Sequence, residues 1–138
     1  MNDHPESSSK AKELLFDQPF GVLVTNDGHP HVSLVSYWVS DDVRMIVFLT
    51  SKDTRKYTNL LKDDRATFMV DDRTNRPSSD ISQASSVSAI GRVREASREE
   101  SGVLQDAFLV RHPYMESFAS KKDTAVMVLD VDSLQVVS

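Results

Sequence analysis

The stretch Phe48-Leu49-Thr50-Ser51-Lys52-Asp53-Thr54-Arg55-Lys56-Tyr57-Thr58-Asn59-Leu60-Leu61 decides the fold. The apolar run from Met45 to Leu49 ends on Thr50 and Ser51. Thr54 then stands where a helix N-cap belongs, just ahead of Tyr57, Leu60 and Leu61. The stretch therefore reads as the end of a strand, a short polar turn and the first two turns of a helix. Such a corner gathers two hydroxyls and two cations at one helix N-terminus, whose free backbone N–H groups and dipole already attract an anion. Arg55 and Lys56 fall in the first turn, where a cation is unfavourable unless negative charge lies close by. A phosphate supplies that charge: Arg presents a planar fork to two of its oxygens, and Lys adds a point charge. The alternative is a surface helix with an ordinary Thr cap and solvated basic side chains.

Upstream of this corner, the polar segment of residues 1–10 is expected to be flexible, with a single domain over residues 11–138. Ser9 is placed to cap a short helix ending near Phe16, with Ala11, Leu14 and Leu15 on its buried side. Phe20 to Thr25 is a β-branched run, Asn26-Asp27-Gly28 a turn, and His31 to Val39 the next strand. On that strand His31, Ser33, Val35 and Tyr37 share one face, while Val32, Leu34, Ser36 and Trp38 share the other. Polar residues on a half-buried face mark it as a candidate pocket lining.

Downstream, Ala66 to Val70 reads as a strand and residues 71–82 as a long polar loop. Ser85 to Glu95 alternates as a fifth strand, and Ser97 with Glu99 and Glu100 starts a helix whose apolar side is Val103, Leu104, Ala107, Phe108 and Val110. A short second helix over Tyr114 to Ala119 and a strand over Thr124 to Val131 follow. Antiparallel strands in succession, with a helix only occasionally between them, argue for a closed or nearly closed barrel rather than a doubly wound parallel sheet.

Composition narrows the chemistry. With 138 residues, 39% apolar and 27% charged, the chain is large enough for one packed core and globular in character. The absence of cysteine removes disulfides, thiolate metal sites and a cysteine nucleophile. No apolar run approaches a bilayer span, and the N-terminus lacks the apolar stretch of a signal peptide, so a cytoplasmic location and no membrane partner are expected. A net charge of −5 argues against a nucleic-acid partner. His4, His29, His31 and His112 lack metal-ligand spacing and read as turn or surface histidines. Only four glycines are present, with no Gly-x-Ser-x-Gly elbow, so hydrolase, Walker-loop and Rossmann readings fall away.

Gly28-His29-Pro30-His31-Val32-Ser33-Leu34-Val35, then Leu49-Thr50-Ser51, Thr54-Arg55-Lys56, Asn59-Leu60 and Arg65-Ala66, resemble the flavin-binding split barrels related to pyridoxamine 5′-phosphate oxidase. Ala84 to Gly91 resembles the family's strand that ends in a glycine, and Arg111-His112-Pro113-Tyr114 the closing portion of its small members. The resemblance implies a mainly β fold with flanking helices, a six-stranded antiparallel Greek-key split barrel, forming a homodimer with two FMN molecules at the subunit interface. By position, Leu49, Thr50, Ser51, Arg55 and Lys56 correspond to the phosphate-binding corner. His31, Val32, Ser33, Leu34, Val35 and Ser36 would run beside the isoalloxazine ring, and Ser86 would reach the flavin of the other subunit. The function implied is flavin-dependent redox chemistry on a small molecule. Sister groups that use deazaflavin or bind and degrade haem, and a non-enzymatic flavin carrier, are the alternatives. The oxidase proper has an arginine at the position of His31, a lysine at that of Ser36, and a C-terminal tryptophan and arginine-histidine substrate motif without counterpart after the Thr124 to Val131 strand. Oxidation of pyridoxamine phosphate is therefore not expected.

Overall fold

The computed structural model describes residues 5–137, with side chains from Ser9 onward. Helix α1 (Pro5–Asp17) leads into strands β1 (Phe20–Asn26), β2 (Pro30–Ser36), β3 (Trp38–Val39) and β4 (Met45–Ser51). Helix α2 (Arg55–Lys62), strand β5 (Arg65–Asp71), helix α3 (Pro77–Gln83) and strand β6 (Ser86–Glu95) follow. Helix α4 (Arg98–Arg111), a 3₁₀ turn at Pro113–Met115, helix α5 (Glu116–Ala119) and strand β7 (Thr124–Val137) complete the chain.

All strands join one antiparallel sheet in the order β2-β1-β5-β6-β7-β4-β3. The two ends of that order, β2 and β3, are separated in sequence by Tyr37 alone. Because one residue cannot bridge a flat seven-stranded sheet, the sheet curls until its ends meet, which is the split barrel. Tyr37 fixes the join. It is fully buried, its hydroxyl donates to the Leu15 carbonyl at 2.6 Å, and its ring meets Phe68 edge-on at 4.7 Å between centroids.

Burial follows the sequence patterns. β1, β5 and most of β6 alternate, putting Leu23, Phe68, Val70, Val87 and Ala89 into the barrel interior with Ala11, Leu14 and Leu15 of α1. β4 and the first half of β7 are buried continuously, because α4 and α5 cover their outer face through Leu104, Phe108 and Ala119. Their unbroken apolar runs are the signature of a strand covered on both sides. At the β6 bulge between Ile90 and Gly91, a Cβ on Gly91 would lie 1.9 Å from the Asp130 carbonyl oxygen, so only glycine fits.

Several expectations are corrected. The sheet has seven strands, since the run His31 to Val39 breaks at Tyr37 to pass from one sheet end to the other. α1 begins at Pro5 rather than Ser9, where proline suits a first helical position; residues 1–4 lie outside the described residues. The expected loop over 71–82 contains α3, a helix without a buried residue. The last strand runs on to Val137 by pairing with β6 as far as Ser86. Val103 and Val110 of α4 are exposed, only Leu104 and Phe108 being buried. His112 is 1% exposed, not a surface histidine, because it packs under the β2–β3 join. No helix among the described residues is long and apolar enough to cross a membrane.

Candidate functional site

The β4–α2 corner forms as its sequence predicts. Thr54 is the N-cap of α2, with extended backbone and its Oγ1 accepting from the Tyr57 N–H at 3.3 Å. The same hydroxyl donates to the Ser51 carbonyl at 2.9 Å and lies 2.8 Å from Oγ1 of Thr50, which is itself 1% exposed. These contacts tie the end of β4 to the start of α2, and they occupy Thr50 in structural work. Ser51 Oγ faces two carboxylates, Asp53 Oδ1 at 2.7 Å and Asp123 Oδ2 at 3.0 Å.

The α2 N-terminus opens into a cleft of about 690 Å³ whose charged and imidazole groups are Asp27, His29, His31, Asp53, Arg55 and Lys62. Both carboxylates hold turns: Asp27 Oδ1 accepts from the His29 N–H at 3.3 Å, and Asp53 takes the Ser51 hydroxyl. Among the described residues neither Arg55, Lys56 nor Lys62 has a carboxylate partner. Lys56 is half-buried on α2 outside the cleft lining, and burial pulls its ammonium below the usual lysine range. A cation desolvated without a counter-ion is electrostatically incomplete.

Asn59 positions this corner, and sequence reasoning gave it no separate role. It is 2% exposed. With the amide orientation assigned from its surroundings, Oδ1 accepts from Thr25 Oγ1 at 3.2 Å, while Nδ2 donates to the Arg55 carbonyl at 3.3 Å and to Asp27 Oδ2 at 3.2 Å. One buried amide thereby joins β1, the β1–β2 turn and the first turn of α2.

The remaining predicted residues divide between two places. His31 lines the cleft with Arg55. Val35 and Leu49 are buried core side chains, leaving only their backbones for a ligand. β2 is an edge strand, and among the described residues β3 pairs only with Ile46 and Val47 of β4, which leaves Phe48 to Thr50 without a ladder partner on that side. Ser33 Oγ is buried without a hydrogen-bond partner among the described residues. Val32 and Leu34 point outward, 62% and 70% exposed. They belong to two cross-strand rows, Leu34–Val22–Met69 and Val32–Val24–Thr67–Ile90, an apolar outer face on four strands. Ser86 pairs with Asp71 and lies six residues along β6 from Arg92, so within one chain it stands about 20 Å from the cleft end of the sheet and does not join the site.

A second polar cluster sits at the other end of β2. His112 Nε2 lies 2.6 Å from the Tyr37 carbonyl, its Nδ1 2.8 Å from Tyr114 Oη, and Tyr114 Oη 3.3 Å from Ser36 Oγ. Burial lowers the His112 pKa, and the Arg111 charge adds to that. Burial also pushes the Tyr37 hydroxyl up to about 12, against the opposing charge of Arg111 stacked 4.8 Å from its ring. No sequence signal marks His112 for this place, since Tyr37 is 75 residues away.

The fold is shared with solved structures. Protein Atu2129 of unknown function from Agrobacterium tumefaciens str. C58 superposes with a TM-score of 0.86 at 17% identity, over 98% of this chain and 57% of that one. A haem-binding protein from Mycobacterium smegmatis gives 0.85 at 22% identity, over 99% and 55%. A FAD-binding protein from Mesorhizobium loti gives 0.74 at 16%, over 94% and 93%. The chain thus spans little more than half the length of the first two. At these identities the likeness is one of fold. No curated protein matches the chain. The model of the pyridoxamine 5′-phosphate oxidase family matches residues 7–138, which takes in every strand and the whole β4–α2 corner. On that match, the chain belongs to the pyridoxamine 5′-phosphate oxidase family.

Proposed function

We propose that the protein binds FMN as a homodimer and carries out flavin redox chemistry on a small molecule. The observation that carries this reading is the α2 N-terminus, where a capped helix presents Arg55 and Lys56 with no carboxylate partner among the described residues and Lys56 is held partly desolvated. The residues fit the group. A phosphate completes the charge of that corner, and the open backbone edges of β2 and β4, with the orphan Ser33 hydroxyl, are suited to a flat ring with a polar rim.

Bound FMN supplies a ring that takes up and releases a hydride or electrons. The chain's share is to grip the phosphate through Arg55 and Lys56, to hold their helix through Asn59, and to keep water from one face of the ring. The apolar rows around Leu34 and Val32 support the dimer, since an exposed face of this kind on a soluble domain marks an interaction surface. The second subunit would then bring its own Ser86 toward the shared ligand.

Haem is the second reading, favoured by the likeness to the Mycobacterium smegmatis haem-binding protein. Haem's propionates would also meet the two cations. The absorbance spectrum of the purified protein separates the two: flavin bands near the visible blue support FMN, a sharp violet band supports haem, and neither after incubation with both ligands overturns both.

A further inference from the structure

Ser36 and Tyr114 form a polar rim at the end of β2 away from the cleft. The polarity of that rim is set by a buried group. The Tyr37 carbonyl can only accept, so the His112 nitrogen 2.6 Å away, Nε2, carries the proton. In the neutral ring the other nitrogen, Nδ1, then has only a lone pair, and Tyr114 must spend its hydroxyl hydrogen on it over 2.8 Å. What Tyr114 turns toward Ser36 and the solvent is therefore an oxygen with free lone pairs. The Ser36 contact at 3.3 Å is long for a hydroxyl pair and weak enough to be displaced. Tyr114 is 63% exposed, while His112 behind it is 1% exposed and clamped between Phe108, at 4.8 Å between ring centroids, and the β2–β3 join. The Tyr114 side chain is thus largely exposed, and the orientation of its hydroxyl is fixed from inside.

Resting on the FMN reading, this rim has a defined task. A ligand held by its phosphate at the His31 end and lying along β2 reaches the Ser36 end after about 17 Å of strand. The outer face along that path is apolar at Val32 and Leu34 and turns polar at Ser36. A ring system with one apolar and one polar end is then oriented with its polar end at Ser36. We infer that the Tyr114 oxygen, oriented by His112, is the hydrogen-bond acceptor for the N–H of the flavin's pyrimidine-like ring, and so selects ligands that carry a donor at that edge.

The test compares FMN with an FMN analogue methylated on the ring imide nitrogen, titrated into the wild-type dimer and Tyr114→Phe, with flavin fluorescence and absorbance as readouts. Tyr114→Phe removes the donor to the buried His112 Nδ1, so thermal unfolding of the variant accompanies the titration and should show a folded protein. The wild type should prefer FMN over the methylated analogue by roughly tenfold, the worth of one hydrogen bond whose loss leaves a partner unpaired. Tyr114→Phe should bind both alike, its affinity for the analogue unchanged. Equal preference in wild type and variant overturns the inference while leaving FMN binding intact. If the wild type binds neither flavin, the FMN reading fails and this inference falls with it.

Discussion

His112 donates from Nε2 to the carbonyl oxygen of Tyr37 at 2.6 Å, joining the end of α4 to the single residue that links the two ends of the sheet. The imidazole is held neutral, with its pKa below the ordinary value of 6.5 because burial penalises the charged form and Arg111 repels it. The unfolded chain therefore takes up a proton before the folded one. This contribution to stability is whole above about pH 6.5 and is lost as pH falls through the folded value. Urea titrations across pH 5 to 7.5 should show stability declining toward acid. In His112→Asn that slope should flatten and overall stability fall by about 1–3 kcal/mol, since the Tyr37 carbonyl or the Tyr114 hydroxyl loses a partner. An unchanged slope would mean that His112 does not titrate differently on folding.

Removing both cations at the α2 N-terminus should abolish cofactor retention without unfolding the protein. Neither Arg55 nor Lys56 has a carboxylate partner to lose among the described residues. The double variant Arg55→Ala, Lys56→Ala should keep its thermal midpoint within a few degrees. Its FMN affinity should drop at least a hundredfold, from the loss of charge-assisted hydrogen bonds worth about 1.5–3 kcal/mol each. Retention of stoichiometric FMN after gel filtration would place the phosphate elsewhere.

Asn59→Leu separates positioning from contact. The substitution removes the amide that joins Thr25, Asp27 and the Arg55 carbonyl, leaving buried polar groups unpaired at a cost of about 1–3 kcal/mol in urea unfolding. Asn59 borders the cleft but is 2% exposed and acts through the helix start, so FMN affinity should weaken about tenfold, far less than in the double variant. A stable protein with unaltered affinity would show that the clamp is dispensable.

Leu34→Asp tests the outer sheet face. Leu34 is 70% exposed within one chain, so the change costs the isolated fold little, yet it places a charge at the β2 end of the row formed with Val22 and Met69. Sedimentation velocity should report a shift from dimer to monomer, with loss of bound FMN. A variant that remains dimeric would assign the interface to another face.

The parts of this molecule that could be read from the chain alone are those whose causes are local. Alternation in β1 and β6, the continuous apolar runs of β4 and β7, the Thr54 cap and the Ser97–Glu100 capping box all depend on residues within a few positions of one another. α3 was hidden because Pro77 to Gln83 buries nothing and so carries no periodic apolar signal. The break at Tyr37 was hidden because it exists only through sheet curvature, and the extension of β7 because its support comes from β6. In the site, Arg55 was legible as a charge out of place in a helix's first turn. Asn59 is not, since Thr25 is 34 residues away, and His112 reads as a surface residue because the proline beside it is the stronger local cue.

The join at Tyr37 makes the barrel intolerant of length changes at one point. Strand side chains alternate with a period of two, so one extra residue between β2 and β3 would leave two incompatible choices. Either β3 turns Val39 out of the interior, or β2 rotates His31 and Ser33 outward and Val32 and Leu34 inward. Homologous chains of varying length should therefore place their insertions in the 71–85 segment or around residues 120–123, and keep a spacing of one between those two strands.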